Sequence, residues 1–313
     1  MIQIWSVCII LEKDRKVKGL HRCSLEIGGM NRIMKRVLTI QDISCLGKCS
    51  LTVALPVISA AGSEAVILPT AVLSTHTMFQ GGTFRDLTED ILPITSHWKK
   101  EQIQFDGIYT GYLGSIEQVE LILQIMAEFG QGNTVKIVDP AMADSGKLYT
   151  GFNMTFVEKM KELCGAADVV LPNITEAAFM TGLPYKEDYR EDYIEELLLQ
   201  MSVFCKGKIG LTGVSFGADE IGVMVYDTQT GTFFQYFTKK YPVAFHGTGD
   251  IFASTVTGAL IKGKTIEDAF AVAVDFTAEI IRVTLENPNH RTYGVDFETA
   301  LPYLWKRLSI DNE

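Results

Sequence analysis

VKIVDPAMADSGKLYTGFNMTFVEKMKELCGAADVVLPNITE (residues 135–176) decides the fold. Residues 135–139 are a β-rich run that stops at Pro140, and residues 168–171 are a second one that stops at Pro172. Proline ends a strand because it brings no N–H to the ladder. Between the two runs, residues 152–164 are predicted helical. Strand, helix, strand over so short a stretch is a βαβ unit, whose crossover helix joins parallel strands.

The alternation continues in both directions. Residues 36–40 (RVLTI), 64–68 (EAVIL), 107–110 and 208–212 are predicted strands. Residues 50–61 are predicted as a helix opened by a Ser50 cap, 87–102 as a helix across Pro93, and 115–129 as a periodic helix with Ser115 as cap and Gln118 three residues on. Helices are also predicted near 175–180 and 188–205. After residue 212 the texture changes. Residues 221–226 and 232–238 alternate and are joined by Asp-Thr-Gln-Thr-Gly, which predicts an antiparallel hairpin. Helices near 248–261, 265–285 and 297–308 complete the chain. The expected fold is α/β, with a doubly wound, mostly parallel central sheet flanked by helices. Ligands of such sheets bind at the carboxyl ends of the strands, where Asp42, Thr110, Asp139, Asn173 and Thr212 are expected.

The chain has 313 residues, 47% hydrophobic and 21% charged, enough for a sizeable core in one large domain. Its formal charge of -10 argues against nucleic acid and anionic membrane surfaces as partners. It does not bar a phosphate ligand, which backbone N–H groups and a metal ion can hold locally. The six cysteines are scattered without a Cys-x-x-Cys pair, which predicts reduced thiols and a cytoplasmic protein. No apolar run is long enough to span a bilayer, and the start lacks a secretory pattern. Residues 1–33 differ from the rest and read as an extension, disordered or a mis-called start, with an extra N-terminal strand as the alternative. A single α/β domain is expected over residues 34–313.

His246-Gly247-Thr248-Gly249-Asp250 precedes the helical run IFASTVTGALIKG. The glycines permit a tight turn with inward N–H groups, and the helix start adds the positive end of its dipole. Such a turn suits developing negative charge on a transferred phosphoryl group, and Asp250 could accept a hydroxyl proton. The plainer alternative is Asp250 as an ordinary N-cap. Asp139, after one strand, and Asn173 with Glu176, after another, offer oxygen donors suited to magnesium. Their plainer alternatives are a turn before proline and a capping box.

Six segments in consistent order resemble pyridoxal kinases of the ribokinase-like superfamily: I-Q-D at 40–42, S-T-H-T at 74–77, T-G-Y-L-G-S at 110–115, D-P-A-M at 139–142, P-N-I-T-E at 172–176 and G-T-G-D at 247–250. The resemblance covers residue 34 to the C-terminus. It implies a ribokinase-like fold with a small flap over the active site, and transfer of the ATP γ-phosphate to the 5′-hydroxymethyl of pyridoxal, pyridoxine or pyridoxamine. It implies magnesium, potassium and a homodimer. By the same resemblance Asp250 is the base and Gly247, Thr248 and Gly249 the anion hole. Asp139, Asp144, Asn173, Glu176 and Thr212 lie near ATP and its cations, with Asp139 and Glu176 nearest the metal. Asp42, Thr77 and Tyr112 contact the substrate ring. There are departures: Asp42-Ile43 stands where many of these kinases carry Ser-His, Leu171 stands where a Thr often precedes Pro-Asn, and residues 78–84 differ from the usual flap. The rivals are a hydroxymethylpyrimidine or sugar kinase of the same fold and a non-catalytic B6-binding protein. Hydroxymethylpyrimidine kinases usually carry Cys at the position of Asp250, and sugar kinases carry a glycine-rich motif after the first strand.

Overall fold

The computed structural model describes residues 34–309, so the expectation for residues 1–33 lies outside the described residues. A nine-stranded sheet runs through them. Its parallel part comprises β1 (Arg36–Ser44), β2 (Glu64–Leu73), β4 (Gly107–Thr110), β5 (Val135–Val138), β8 (Val169–Val170) and β9 (Lys208–Val214). Three antiparallel strands close its edges: β3 (Phe84–Asp86) beside β2, and β10 (Glu220–Asp227) with β11 (Thr232–Lys239) beyond β9. The order is β11-β10-β9-β8-β5-β4-β1-β2-β3. The chain leaves β1 toward β2 on one side and later returns to β4 on the other. The crevice at this reversal, beyond the carboxyl ends of β1 and β4, is where open sheets of this kind bind ligands.

Strand side chains alternate between two cores because successive residues point to opposite faces. Leu38, Ile40, Ile108 and Val138 face helices α2 (Thr88–Lys100), α3 (Ile116–Phe129), α4 (Met154–Gly165), α5 (Ile174–Thr181) and α6 (Glu191–Met201). Val37, Tyr109, Ile137 and Val169 face α1 (Leu51–Ala60), α7 (Thr248–Lys262) and α8 (Ile266–Glu286). Outside these, α9 (Phe297–Ser309) packs Phe297, Leu304 and Leu308 against α8 and α1. Each fully buried side chain of this size contributes about 1.5–3 kcal/mol.

Helix starts follow local chemistry. Ser115 Oγ accepts from Gln118 N at 3.1 Å, and Gln118 Oε1 accepts from Gly114 N at 2.8 Å. At α4 the cap is Asn153, whose Oδ1 accepts from Phe156 N. The expected Ser50 cap is not made. Ser50 sits at φ 48°, a left-handed conformation rare outside glycine, and its side chain does not cap α1.

Three short elements escaped sequence reading. β3 has three residues, and β6 (Ala143–Asp144) with β7 (Lys147–Leu148) form a two-residue hairpin, all too short to show a period. β1 also runs past its predicted end. Its pairing with β2 shifts register between Gln41 and Ile43 and then resumes. Asp42 therefore lies inside the strand, at an irregularity of the kind that re-aims side chains. Residues 74–83 form a small flap that folds back across this end, with His76 N donating to Leu46 O at 2.7 Å and Ser74 N to Thr83 O at 3.0 Å.

Gly210 of β9 lets α8 approach the sheet, since a Cβ there would lie 2.3 Å from the ring of fully buried Phe270. Gly210→Ala is expected to cost about 1–3 kcal/mol by overpacking, read as a lower urea midpoint. Adding Phe270→Leu should recover part of the loss.

Candidate active site

The turn before α7 holds the Gly-Thr-Gly-Asp segment at 247–250. Gly247 is the N-cap of α7 at φ 80°, and no side chain caps the helix. Asp250 is thus not the cap; it sits inside the first turn. A Cβ on Gly247 would lie 1.9 Å from the Lys48 carbonyl oxygen, so this position tolerates only glycine. Thr248 Oγ1 donates to Phe245 O at 3.1 Å, which closes the turn. Gly249 faces open space. The first N–H groups of a helix have no partner within it and carry the positive end of its dipole.

This turn opens on a cavity of about 720 Å³, lined by Gly247, Thr248, Gly249, Asp250, Asp139, Asp144, Asn173, Glu176 and Thr212. Nine of the sequence-predicted site residues therefore meet at one place. Leu171, the departure noted before Pro172, also lines it. Asp42, Thr77 and Tyr112 do not. Asp42 is buried in β1, where Ser44 Oγ donates to it at 3.4 Å. Tyr112 stacks on Phe152 with ring centroids 5.7 Å apart. Its phenol is pushed up by burial and then by the charge of Asp42, so these two share one electrostatic neighbourhood. Thr77 is exposed on the flap.

The carboxylates are crowded. Burial pushes the Asp250 carboxyl up to about 7, with the Ser50 backbone N–H opposing and the Asp42 charge adding. Asp139 is raised by burial and then by Asp250, and Glu176 by burial and then by Asp139. Glu176 also holds the local backbone. Its Oε2 accepts from Asn173 N at 2.8 Å and its Oε1 from Met142 N at 3.1 Å. Asn173 Oδ1 accepts from Glu176 N at 2.9 Å, and Asn173 Nδ2 donates to Ala143 O at 2.8 Å. The capping-box alternative for Asn173 and Glu176 is realised, and it shapes the rim of the cavity. Thr212 Oγ1 donates to Pro172 O at 3.3 Å, and exposed Asp144 accepts from Ser145 N.

Among the described residues, no group of three or more His, Cys, Asp or Glu side chains could hold a metal ion. The donor chemistry nevertheless fits magnesium, which takes oxygen ligands and keeps waters and substrate phosphates in its shell. Like charges raising one another's pKa are also what an intervening cation relieves.

Several participants were not foreseen as site residues. Tyr149, Lys239 and Lys240 line the cavity. Lys239 ends β11 and Lys240 follows it, and a Lys-Lys pair in an acidic chain was the available signal. Ser50 reaches Asp250 through its backbone, which no side-chain motif reports. Cys49 is buried beside Asp250, and burial pushes its thiol up to about 12, so it is no nucleophile. His76 uses its ring within the flap, with Nδ1 accepting from Met78 N, and lies 4.9 Å from the His246 ring. His97 is exposed, whereas His290 packs edge-on against Phe245.

Known proteins resemble this chain in sequence and fold. The phosphomethylpyrimidine kinase family matches residues 54–295. A protein from Bacteroides thetaiotaomicron VPI-5482, provisionally described as a phosphomethylpyrimidine kinase and solved with pyridoxal, is 35% identical with a TM-score of 0.82, covering 87% of this chain and 96% of its own. Pyridoxal kinase from Lactobacillus plantarum is 30% identical with a TM-score of 0.80, covering 88% and 98%. Hydroxymethylpyrimidine/phosphomethylpyrimidine kinase from Bacillus subtilis (strain 168) is 25% identical over 86% of this chain and 90% of its own. The chain belongs to the phosphomethylpyrimidine kinase family and has the ribokinase-like fold. Among the described residues no helix is long and apolar enough to cross a membrane.

Gly247→Ala is expected to abolish turnover, since the new Cβ and the Lys48 carbonyl cannot share the space. The raised Asp250 also makes stability pH-dependent. Between about pH 4 and pH 7 the unfolded carboxyl has lost its proton and the folded one has kept it, so stability falls as pH rises through this window. Thermal unfolding of the ligand-free protein should show this fall, and Asp250→Asn should remove its share.

Proposed function

We propose that the protein phosphorylates the 5′-hydroxymethyl group of pyridoxal, or of pyridoxine or pyridoxamine, with ATP as donor, in salvage of pyridoxal 5′-phosphate. Family and fold support a kinase of the vitamin B6 and hydroxymethylpyrimidine type. One observation carries the reading: the Asp250 carboxylate sits in the first turn of a helix, beside a glycine turn open to the cavity. In the proposed reaction the substrate oxygen attacks the γ-phosphorus, its proton passes to Asp250, and the bond to the ADP oxygen breaks. The N–H groups of residues 247–249 would face the charge that spreads over the transferred phosphoryl group. Asp250 orients the hydroxyl and accepts its proton late, so a high pKa is not needed.

Magnesium would be held by Asp139, and by Glu176 through water, and would supply charge neutralisation for the phosphates. Potassium, a homodimeric state and a cytoplasmic location complete the proposal on the strength of the resemblance. The substrate ring would lie on the Asp42 and Tyr112 side, beyond the nucleotide cavity, with Thr77 above it on the flap. The Bacillus subtilis relative favours hydroxymethylpyrimidine as the second reading. Asp250, where Cys would be expected for that substrate, counts against it.

ATP consumption with magnesium and potassium, offered pyridoxal, pyridoxine, pyridoxamine and hydroxymethylpyrimidine separately, tests this. A B6 vitamer should turn over, and Asp250→Asn should lower kcat about 10²–10⁴-fold. Turnover of hydroxymethylpyrimidine alone would reassign the substrate. Saturable vitamer binding without ATP turnover would point to a binding protein.

A further inference from the structure

The turn at residues 47–50 packs against the turn before α7 and is tied to residues 294–298 further along the chain. Gly247 rests on the Lys48 carbonyl oxygen, with room for no side chain. Ser50 also lies close enough to Asp250 and Asp42 to oppose the upward shift of both carboxyls. Ser50 achieves this at φ 48° while 6% exposed, a strained conformation that the surroundings must impose. Gly47, at φ 150°, packs against His76, and Thr52 Oγ1 donates to Cys49 O at 2.7 Å. The Lys48 side chain points the other way. Its Nζ lies 3.2 Å from Asp296 Oδ1 and 2.9 Å from Glu298 Oε2, and 5.7 Å from the Phe297 ring centroid. Lys48 and Asp296 are each only 14% exposed, which sets this pair apart from a loose surface bridge. Asp296 is itself fixed, as its Oδ2 accepts from Asn287 Nδ2 at 2.6 Å and its N donates to Thr284 Oγ1 at 2.8 Å. Gly294 lets this segment close on the Lys48 stem, where a Cβ would come within 2.6 Å.

We propose that Lys48 is a positioning residue for phosphoryl transfer: its ion pair with Asp296 and Glu298 anchors the 47–50 turn, and that turn sets where Asp250 and the anion-hole N–H groups stand. Lys48 touches no reacting atom in this scheme. Its ammonium faces α9 and its carbonyl faces Gly247, so it couples the start of α9 to the base. Displacement of a catalytic group by an ångström lowers turnover steeply while leaving substrate binding largely intact.

The inference rests on the proposed kinase reaction, and the test separates the two. Lys48→Met keeps the stem and removes the charge, Lys48→Arg keeps the charge, and Asp296→Asn weakens the anchor without touching the turn. With whichever substrate of the panel the wild type phosphorylates, Lys48→Met should lower kcat about 10–100-fold with KM for ATP and substrate nearly unchanged. Lys48→Arg should restore most of the rate, and Asp296→Asn should fall between. Equal loss in the Met and Arg variants, a rise in KM at constant kcat, or an unchanged rate in Lys48→Met would each overturn the proposal. If Lys48→Met does not fold, Asp296→Asn decides on the same criteria. If the wild type phosphorylates nothing in the panel, the proposed function fails and amide hydrogen exchange decides the inference alone. Faster exchange confined to residues 247–251 in Lys48→Met supports it, and unchanged protection there overturns it.

Discussion

The contact between Gly247 and the Lys48 carbonyl is the constraint on which the site depends. Two turns about 200 residues apart in the chain meet where a methyl group would not fit. One ends on Asp250 and the other brings Ser50 close enough to influence its carboxyl. The sheet serves this meeting. β1 delivers residues 45–50 at the reversal point of the strand order, α7 packs back on the face formed by Val37, Tyr109 and Ile137, and the helix start is thereby aimed at the crevice. Glycine at 247 is thus required twice, by its positive φ and by its neighbour.

Acidic groups gather in and beside the cavity of a protein already at -10. Asp42, Asp139, Glu176 and Asp250 are all raised by burial, and coulombic interactions link Asp250 with Asp42 and Asp139, and Asp139 with Glu176. Such a site is costly to keep fully ionised when empty and is relieved by cations. Lys239 and Lys240 stand at its hairpin edge, where Lys240 Nζ donates to Ser215 Oγ at 3.1 Å. An anionic nucleotide would enter past these lysines, while a metal ion would answer the carboxylates deeper in.

Most of this was legible in the sequence. The βαβ unit at 135–176, the terminal hairpin and the long helices carry strong periods, and the residues at strand ends gather as the topology requires. What stayed hidden has physical reasons. Strands of two or three residues have no period to read. The register shift in β1 depends on pairing with β2, so Asp42 was placed past the strand rather than inside it. Ser50 was taken as a cap because Ser before an apolar run usually is one; tertiary contacts with Asp42 and Asp250 overrode that preference. Asp250 was open to reading as an N-cap because cap and base use the same residue type, and only backbone geometry at Gly247 separates them. Backbone donors and close carbonyl contacts leave no trace in a motif.

Lys48 and its acidic partners are separated by 248 and 250 residues of chain. Such a contact closes a very large loop, and its entropy cost is met late, when the elements between are already packed. During synthesis, the glycine turn, the cavity rim and α7 all emerge before residues 296 and 298 do. A nascent chain can therefore build the cavity lining and α7 before the 47–50 turn gains its ion pair with residues 296 and 298.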